Sequence, residues 1–521
     1  MFGIIHNRAR LGLVAALAAA SLFLGALPAH AHPSGVTNGG MLTIGATSDA
    51  LTLDPTVTTD EASGPVENLL FNSLVKLDDN VRIVPDLATS WTISQGGTIY
   101  TFHLRPHVTF HDGSVMTSAD VAASLARLRA TKTASPWASF FTDVASVATP
   151  TATTVVIRLS KPYAPFLAVI ASFLTVSSAS FIAAHKGTVT RAEDGTGPYM
   201  LKSWVPNTAI TLVRNPRYFV AGQPHLDKIV FQVIPTDASR IAALRTGQIQ
   251  FAAFLDPIYF PLVQQLQKSG MAHVLHVLDI NYHMFGFNTK RAPFNNPLVR
   301  LAISYAIDRD QILQAAGRGQ GVVSGLITPA LGGWALPTSR YAPYKRDLTK
   351  AKALLTKAGY AHGFTFSIMA SHYLPSDFTA AQIIQQQLSP LGITARVAPT
   401  EWGVYVHKWV ARDFDAFTGE NGDWTDPDLA MYAALHTGGS TNAFQFSDPA
   451  IDRLLDAARA ATSQRTRKAL YDQLQLELVN GGGPMIYTYA SYWDYATSPT
   501  LHGYTYIPRA SYQGLASAWL H

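Results

Sequence analysis

The stretch YTFHLRPHVTFHDGSVMTSADVAASLARLRA, residues 100–130, carries two periodicities in succession. Tyr100, Phe102 and Leu104 alternate with polar neighbours, the period of a half-buried strand, before Pro106 and the Asp112-Gly113 pair break the run and turn the chain. Thr117 and Asp120 then stand at capping-box spacing, and Val121, Leu125 and Leu128 follow at helical intervals, which predicts an amphipathic helix over 118–130. His103, His107 and His111 are four apart and would line one face of a helix as metal ligands. The strand and turn around them predict structural or surface histidines instead.

The same alternation of strand and helix extends in both directions. Asn296-Pro297 predicts a helix start, with Leu298, Leu301, Ala302 and Tyr305 on one face. Thr349 opens another through Leu354, Leu355 and Ala358, stopped by Gly359. Asp448-Pro449 starts a helix bearing Ile451, Leu454, Leu455 and Ala458, and Leu470, Leu474 and Leu478 stripe the next one before the glycines at 481–483. Strands are predicted over 98–104, 153–159, 229–234, 273–278 and 283–287. This order indicates α/β lobes rather than a sandwich or a bundle, without solenoid repeats or low-complexity linkers.

The bulk numbers agree with a large globular chain: 521 residues, 48% hydrophobic, Lys+Arg 39 against Asp+Glu 34. The net charge of +5 is spread without a basic run, so nucleic acid is not an expected partner. Arg8 and Arg10, an apolar run from Leu11 to Leu27 and Ala29-His30-Ala31 have the order of a secretory signal, so residues 1–31 are expected to be cleaved and the mature chain to begin near His32. Removing the two arginines lowers the formal charge from +5 to +3. With Cys 0, the exported protein is expected to carry neither an N-terminal lipid nor a disulfide.

Local catalytic signatures are missing: there is no cysteine nucleophile, no His-Glu-x-x-His, no Gly-x-Ser-x-Gly and no phosphate-binding lysine loop. Gly317, Gly319 and Gly321 lack dinucleotide spacing and are expected in a flexible loop. Two aromatic and acidic clusters remain: Glu401-Trp402 with Tyr405 and Trp409, and the segment 419–427 with Glu420, Asp423, Trp424 and Asp426. Such groups form either a solvated turn or the wall of a cleft that holds a ligand's cation and covers its apolar parts.

Several further blocks run in a recognisable order: Leu53-Asp54-Pro55; Pro85-Asp86-Leu87-Ala88 with Ser90-Trp91; Tyr100 to Arg105; Phe110-His111-Asp112-Gly113; Asp120-Val121 with Ser124; Gly195-Thr196-Gly197-Pro198-Tyr199; Asn215-Pro216-Arg217-Tyr218; Phe287-Asn288; Val299-Arg300; Ala306-Ile307-Asp308-Arg309; and the helix from Ala351 to Gly359. In this the chain resembles the family-5 extracellular solute-binding proteins, the periplasmic dipeptide- and oligopeptide-binding type, over essentially the whole mature length.

The resemblance implies a two-lobed α/β clamp, the type II periplasmic-binding-protein fold with an extra subdomain inserted in lobe 1. Carried onto this chain, lobe 1 spans about 32–280 and 490–521 with the insert at about 64–172, and lobe 2 spans 281–489. The hinge would lie near Asn281 to Phe285 and Ile486 to Ser491. The resemblance places Asp423, beside Gly422 and Trp424, on a ligand's amino group. It sets Thr59, Asp60 and Glu61 along the peptide backbone, and Trp402, Trp424 and Trp137 as aromatic walls. It also implies a monomer without cofactor or metal, working in the periplasm with an ABC permease and its ATPase subunits on a short peptide or similar small solute. One departure stands out: where oligopeptide binders carry arginines for the ligand carboxylate, this chain has Thr418 and the Lys408-Trp409 region. Metal chelates, glutathione, haem, opines and oligosaccharides therefore stay open as ligands, with His372, His407 or His436 candidates for a chelate. A hydrolase using Asp423 with Glu401, and a chaperone or sensory receptor on the same clamp, are the rival functions.

Overall fold

The strand Met41–Ala46 lies in the middle of the largest sheet, and four consecutive residues of it, Leu42 to Gly45, are buried. Parallel neighbours flank it on both sides, Lys228–Val233 on one and Phe251–Phe254 on the other, which is why its burial runs through consecutive residues instead of alternating. The computed structural model describes residues 35–185, 191, 193–422, 425–509 and 511–521. The expected signal segment, residues 1–31, lies outside the described residues. Among the described residues, the helices and strands belong to the body Thr37–His521, and no helix is long and apolar enough to cross a membrane.

Three principal sheets organise the described residues. The largest runs His273–Leu278, Tyr489–Thr497, Phe251–Phe254, Met41–Ala46, Lys228–Val233, Ala209–Arg214, Tyr199–Val205. A second orders Thr394–Thr400, Thr365–Ser371, Ala416–Asn421, Tyr282–Phe287, Met485–Tyr487. The third is an antiparallel sheet of Ala88–Ser94, Ile99–Leu104, Thr154–Leu159 and Val144–Thr151. Each sheet has apolar clusters of its own: Ile44 and Phe251 in the first, Phe285 and Phe417 on opposite sides of the second, Phe102 and Ile157 in the third. This is a type II periplasmic-binding-protein fold, with mixed α/β lobes. The chain leaves the first sheet at Leu278 and enters the second at Tyr282, and it passes back between Tyr487 and Tyr489.

The local sequence signals translate directly into elements. The helix expected over 118–130 is Ser118–Arg129, and Asp120 closes its capping box by accepting from the Thr117 backbone N–H at 2.7 Å. Asn296 caps Pro297–Ala306, and Asp448 caps Pro449–Ala460. The helix expected to open at Thr349 instead begins at Leu348, because the Asp347 carboxylate accepts from Lys350 N at 2.8 Å and so sets the start. Gly321, expected in a flexible loop, begins the strand Gly321–Val323, which pairs with Ser491 to Tyr489. A Cβ there would lie 2.3 Å from the Ala490 carbonyl oxygen, so the pairing requires glycine.

Many of the ordered blocks meet in one buried knot. His111 Nδ1 lies 2.6 Å from Glu193 Oε2 and its Nε2 lies 3.1 Å from the Gly197 carbonyl, so this histidine is structural. Asn215 Nδ2 donates to the same carbonyl at 2.9 Å, and Asp194 Oδ1 accepts from Asp112 N. Gly197 sits so close to the end of the helix Ser63–Leu70 that a Cβ would fall 2.3 Å from Leu69 O. Gly197→Ala is expected to destabilise the fold by about 1–3 kcal/mol, as forced overpacking does, read as a lowered midpoint in urea or thermal unfolding; an unchanged midpoint would show that this approach can relax.

Candidate functional site

A cavity of about 620 Å³ opens between elements of the second sheet and a loop region of the other half. One wall is built by Glu61 together with Pro136, Trp137, Ser139 and Phe140, the other by Met284, Tyr373, Trp402, Tyr405, Trp409, Phe417, Glu420 and Leu429 among others. Two aromatic groups form these walls. Trp402 stacks between Tyr373 at 5.0 Å and Tyr405 at 5.5 Å. Opposite, Phe173 stacks on both Trp137 and Phe140 at 4.8 Å. The Tyr405 hydroxyl donates to Thr418 O at 2.9 Å, which fixes the middle of the wall. Such a lining covers planar or apolar groups and leaves a few polar atoms to orient them.

Of the residues expected at a site, Glu61, Trp137 and Trp402 line this cavity. Thr59 is exposed and outside the lining. Asp60 has a local task, its Oδ1 accepting from Ala62 N and Ser63 N at the start of the helix Ser63–Leu70. Gly422 is outside the lining too. It packs on the crossing between the sheets, where a Cβ would meet Asn281 Oδ1 at 2.3 Å. Asp423 and Trp424 lie outside the described residues.

Glu401, the supposed partner of Asp423 in a hydrolase, is the N-cap of Trp402–Ala411; the backbone N–H groups of Gly403 and Val404 hold its carboxyl below the usual range. Asp426 is committed to a buried ion pair with Arg467 at 2.6 Å. Thr418 is buried and lies outside the lining, although its neighbours Phe417 and Gly419 are in it. Lys408 is not in the lining, although Trp409 is. Of the chelate candidates, His372 packs on the Phe378 ring and His436 on Tyr432. Tyr373 and Phe140 escaped sequence reasoning; their one local signal is that each is an aromatic residue in a short connection, where core stripes do not explain it.

The cavity's two sides are joined by a seam. Leu429, on the helix Pro427–Leu435, is 1% exposed and belongs to the apolar cluster of the third sheet while also lining the cavity. Ala164 N donates to Arg459 O at 2.8 Å, and Ser172 Oγ lies 3.2 Å from Thr425 Oγ1. Arg459 pairs with the buried Asp428 at 2.6 Å and lies over the rings of Tyr163 and Tyr432.

A model of the bacterial extracellular solute-binding proteins, family 5 (middle), matches residues 82–442, well over half of the chain. The chain belongs to this family. Among its relatives, the glutathione-binding protein GsiB of Pectobacterium atrosepticum is 28% identical over 496 residues, covering 92% of this chain and 93% of the relative. The periplasmic binding protein DppA of Helicobacter pylori, solved in complex with the peptide STSA, is 28% identical with a TM-score of 0.77, covering 93% of this chain and 98% of its own. The binding protein AgaA of A. tumefaciens R10, solved with agropinic acid, is 27% identical with a TM-score of 0.76 and covers 92% and 99%.

In this solute-binding protein, two buried ionisable groups lie outside the lining of the cavity. His283 Nδ1 lies 2.8 Å from Asp377 Oδ1, and its Nε2 lies 2.8 Å from Ser491 Oγ, the connectivity of a hydrolytic triad. Yet Met284, the next residue on the strand, faces the cavity, so the imidazole faces away from it. Burial, the largest influence, draws the His283 pKa down, while the Asp377 charge and hydrogen bond carry the net shift upward.

The second group is Glu67, which accepts from the Thr58 hydroxyl and so anchors the loop leading to Glu61. Burial, offset in part by that hydroxyl and reinforced by Asp60 and Asp54, pushes Glu67 from 4.5 up to about 8. A carboxyl whose pKa is raised by folding contributes stability that is complete below the unfolded value and lost as the pH climbs through the folded one. The unfolding midpoint is therefore expected to fall between pH 5 and about pH 8, and Glu67→Gln to flatten that slope; an equal slope in both proteins would assign the pH dependence elsewhere.

Proposed function

We propose that this chain is the receptor of an ABC importer, which captures a short peptide or peptide-like solute by closing two lobes over it and passes it unchanged to a membrane permease. The observation that carries this reading is one cavity walled from two sides by aromatic residues and sealed by Leu429, which is seated in the apolar cluster of the opposite side. A ligand that bridges both walls favours the closed arrangement by its extra contacts there. The glutathione- and peptide-binding relatives support a peptide-like ligand; the agropinic acid complex keeps an opine as the second reading. The relatives named are binding proteins rather than enzymes, and we read this chain the same way, as an exported monomer whose permease and ATPase partners supply the energy. Residues 1–31 serve as its export signal, which N-terminal sequencing of the secreted protein checks by a start near His32.

Closure is tested at the seam. In an open clamp Leu429 loses its burial against the opposite cluster, so Leu429→Ala acts mainly on the closed state. Removing a buried leucine side chain costs about 2 kcal/mol or more, so ligand affinity is expected to fall roughly thirtyfold, with a small change in the melting temperature of the ligand-free protein. Titration calorimetry with a solute identified by native mass spectrometry of freshly purified protein reads both; unchanged affinity would separate binding from closure.

Asp423 is proposed as the partner of the ligand's ammonium, on the strength of its place in Gly422 to Pro427. A charge-assisted hydrogen bond of this kind is worth about 2–5 kcal/mol when one partner is deleted. Asp423→Ala is therefore expected to abolish the thermal shift given by a bound peptide, and an N-acetylated form of that peptide to give none with the wild type. Equal shifts in mutant and wild type would remove Asp423 from the site.

A further inference from the structure

We propose that the solute carries an aromatic or branched apolar group, and that this group packs on the open face of the helix Trp402–Ala411. This rests on the solute-clamp reading and names the side group that such a clamp selects. Trp402, Tyr405, Val406 and Trp409 stand at i, i+3, i+4 and i+7 of that helix, the spacing of an apolar stripe about 100° wide that a helix turns toward a core. All four line the cavity. Only Tyr405 of this helix is buried, however, and Trp402 and Val406 remain 38% and 40% exposed. The stripe therefore faces a space where a core would ordinarily be, and the occupant of the cavity completes its packing.

The helix is held in place without that packing. Glu401 caps its start, Arg412 ends it in the left-handed conformation with its N–H on the Lys408 and Trp409 carbonyls, and the Tyr405 hydroxyl ties its middle to Thr418 O. Tyr373 and Tyr405 stack on Trp402, so the stripe's largest side chain is positioned as well. An apolar surface that is already ordered gains contacts on binding at little cost in side-chain freedom. The rest of the chamber continues this surface. Met284, Phe417 and Phe444 are in the lining and belong to the buried apolar cluster against which Trp409 packs, while Trp137 and Phe140 come from the other wall.

Glu61 and Glu420 line the cavity too, but each already interacts within the protein, and the preference is for apolar surface rather than for charge. Val404 and Val410 are exposed on the same helix outside the lining. Single exposed valines are ordinary at a protein surface, which makes these two controls for the stripe.

Calorimetric titration of a set of tripeptides of equal charge, Ala-Ala-Ala and those with one tryptophan at each position in turn, reads the selection. At least one tryptophyl peptide is expected to bind roughly thirtyfold more tightly than Ala-Ala-Ala, as burial of a large apolar side chain allows, with a more negative heat-capacity change. Val406→Ser is expected to narrow that ratio about fivefold without lowering the melting temperature of the ligand-free protein, and Val410→Ser to leave the ratio unchanged. At equal saturation, amide exchange over residues 402–411 slows more with the tryptophyl peptide than with Ala-Ala-Ala. Equal affinities across the set, or a ratio that Val406→Ser leaves alone or Val410→Ser narrows as much, would overturn the proposal and leave the clamp reading standing. So would a co-purifying solute with neither an aromatic nor a branched apolar group. A dimer in sedimentation that Val406→Ser dissociates would assign the open face to a second copy of this chain instead. A co-purifying solute of another class that bears such a group, and whose affinity Val406→Ser weakens, supports the proposal. If no peptide binds and no solute co-purifies, the clamp reading fails and this inference fails with it.

Discussion

The two places where the chain passes between its principal sheets are bound to each other, and the arrangement of the whole cavity depends on that bond. Thr488 donates to the His283 carbonyl twice, from its N–H at 3.0 Å and its hydroxyl at 2.9 Å, while Asp279 N donates to Ser491 O at 3.0 Å. The His283 ring spans from Asp377 to Ser491 and stacks on Tyr489 at 4.2 Å, so backbone and side chain lock the crossings together. Gly422 completes the joint by giving Asn281 the room a side chain would take. The first two sheets keep apolar clusters of their own, so in the closure proposed above a rotation about this joint shifts the cavity walls and breaks into an apolar cluster at the seat of Leu429. Tyr373 and Leu374 immediately precede the helix that carries Asp377, which links the joint to the wall it moves.

The knot around His111 has a comparable role for the helix Ser63–Leu70. Helix Ser63–Leu70, the turn at Asp112 and the glycines 195 and 197 are brought within hydrogen-bonding or van der Waals distance. Glu61 stands just before that helix, so a knot outside the cavity lining sets where one of its carboxylates stands. Buried polar networks of this kind carry a high penalty when broken, which makes them good fixtures for a distant side chain.

Much of the fold was legible because its signals are local. The capping box at Thr117 and Asp120, the Asn296-Pro297 start and the alternation from Tyr100 to Leu104 depend on neighbours within one or two turns, and each appears where expected. The misjudged points depend on partners remote in sequence. Gly321 became a strand residue because Ala490 approaches it. In the site, Glu61, Trp137 and Trp402 were named through the family resemblance, but nothing near them in sequence marks their meeting around one cavity. The Asp60 carboxylate beside Glu61 caps a helix start, a local role that leaves its expected main-chain contact with a ligand untouched. Tyr373 and Leu429 were invisible for a related reason: the first is one more aromatic in a turn, and the second reads as an ordinary apolar helix position until the sheet it inserts into is known.

Leu429 is at once part of the chamber's wall and the plug that seats in the facing cluster. In the proposed clamp, a guest that overfills the chamber would push this residue out of its socket, and one that underfills it would leave contacts unmade on the near side. Under the closure proposed above, the chamber gauges the bulk of its guest through the seating of Leu429.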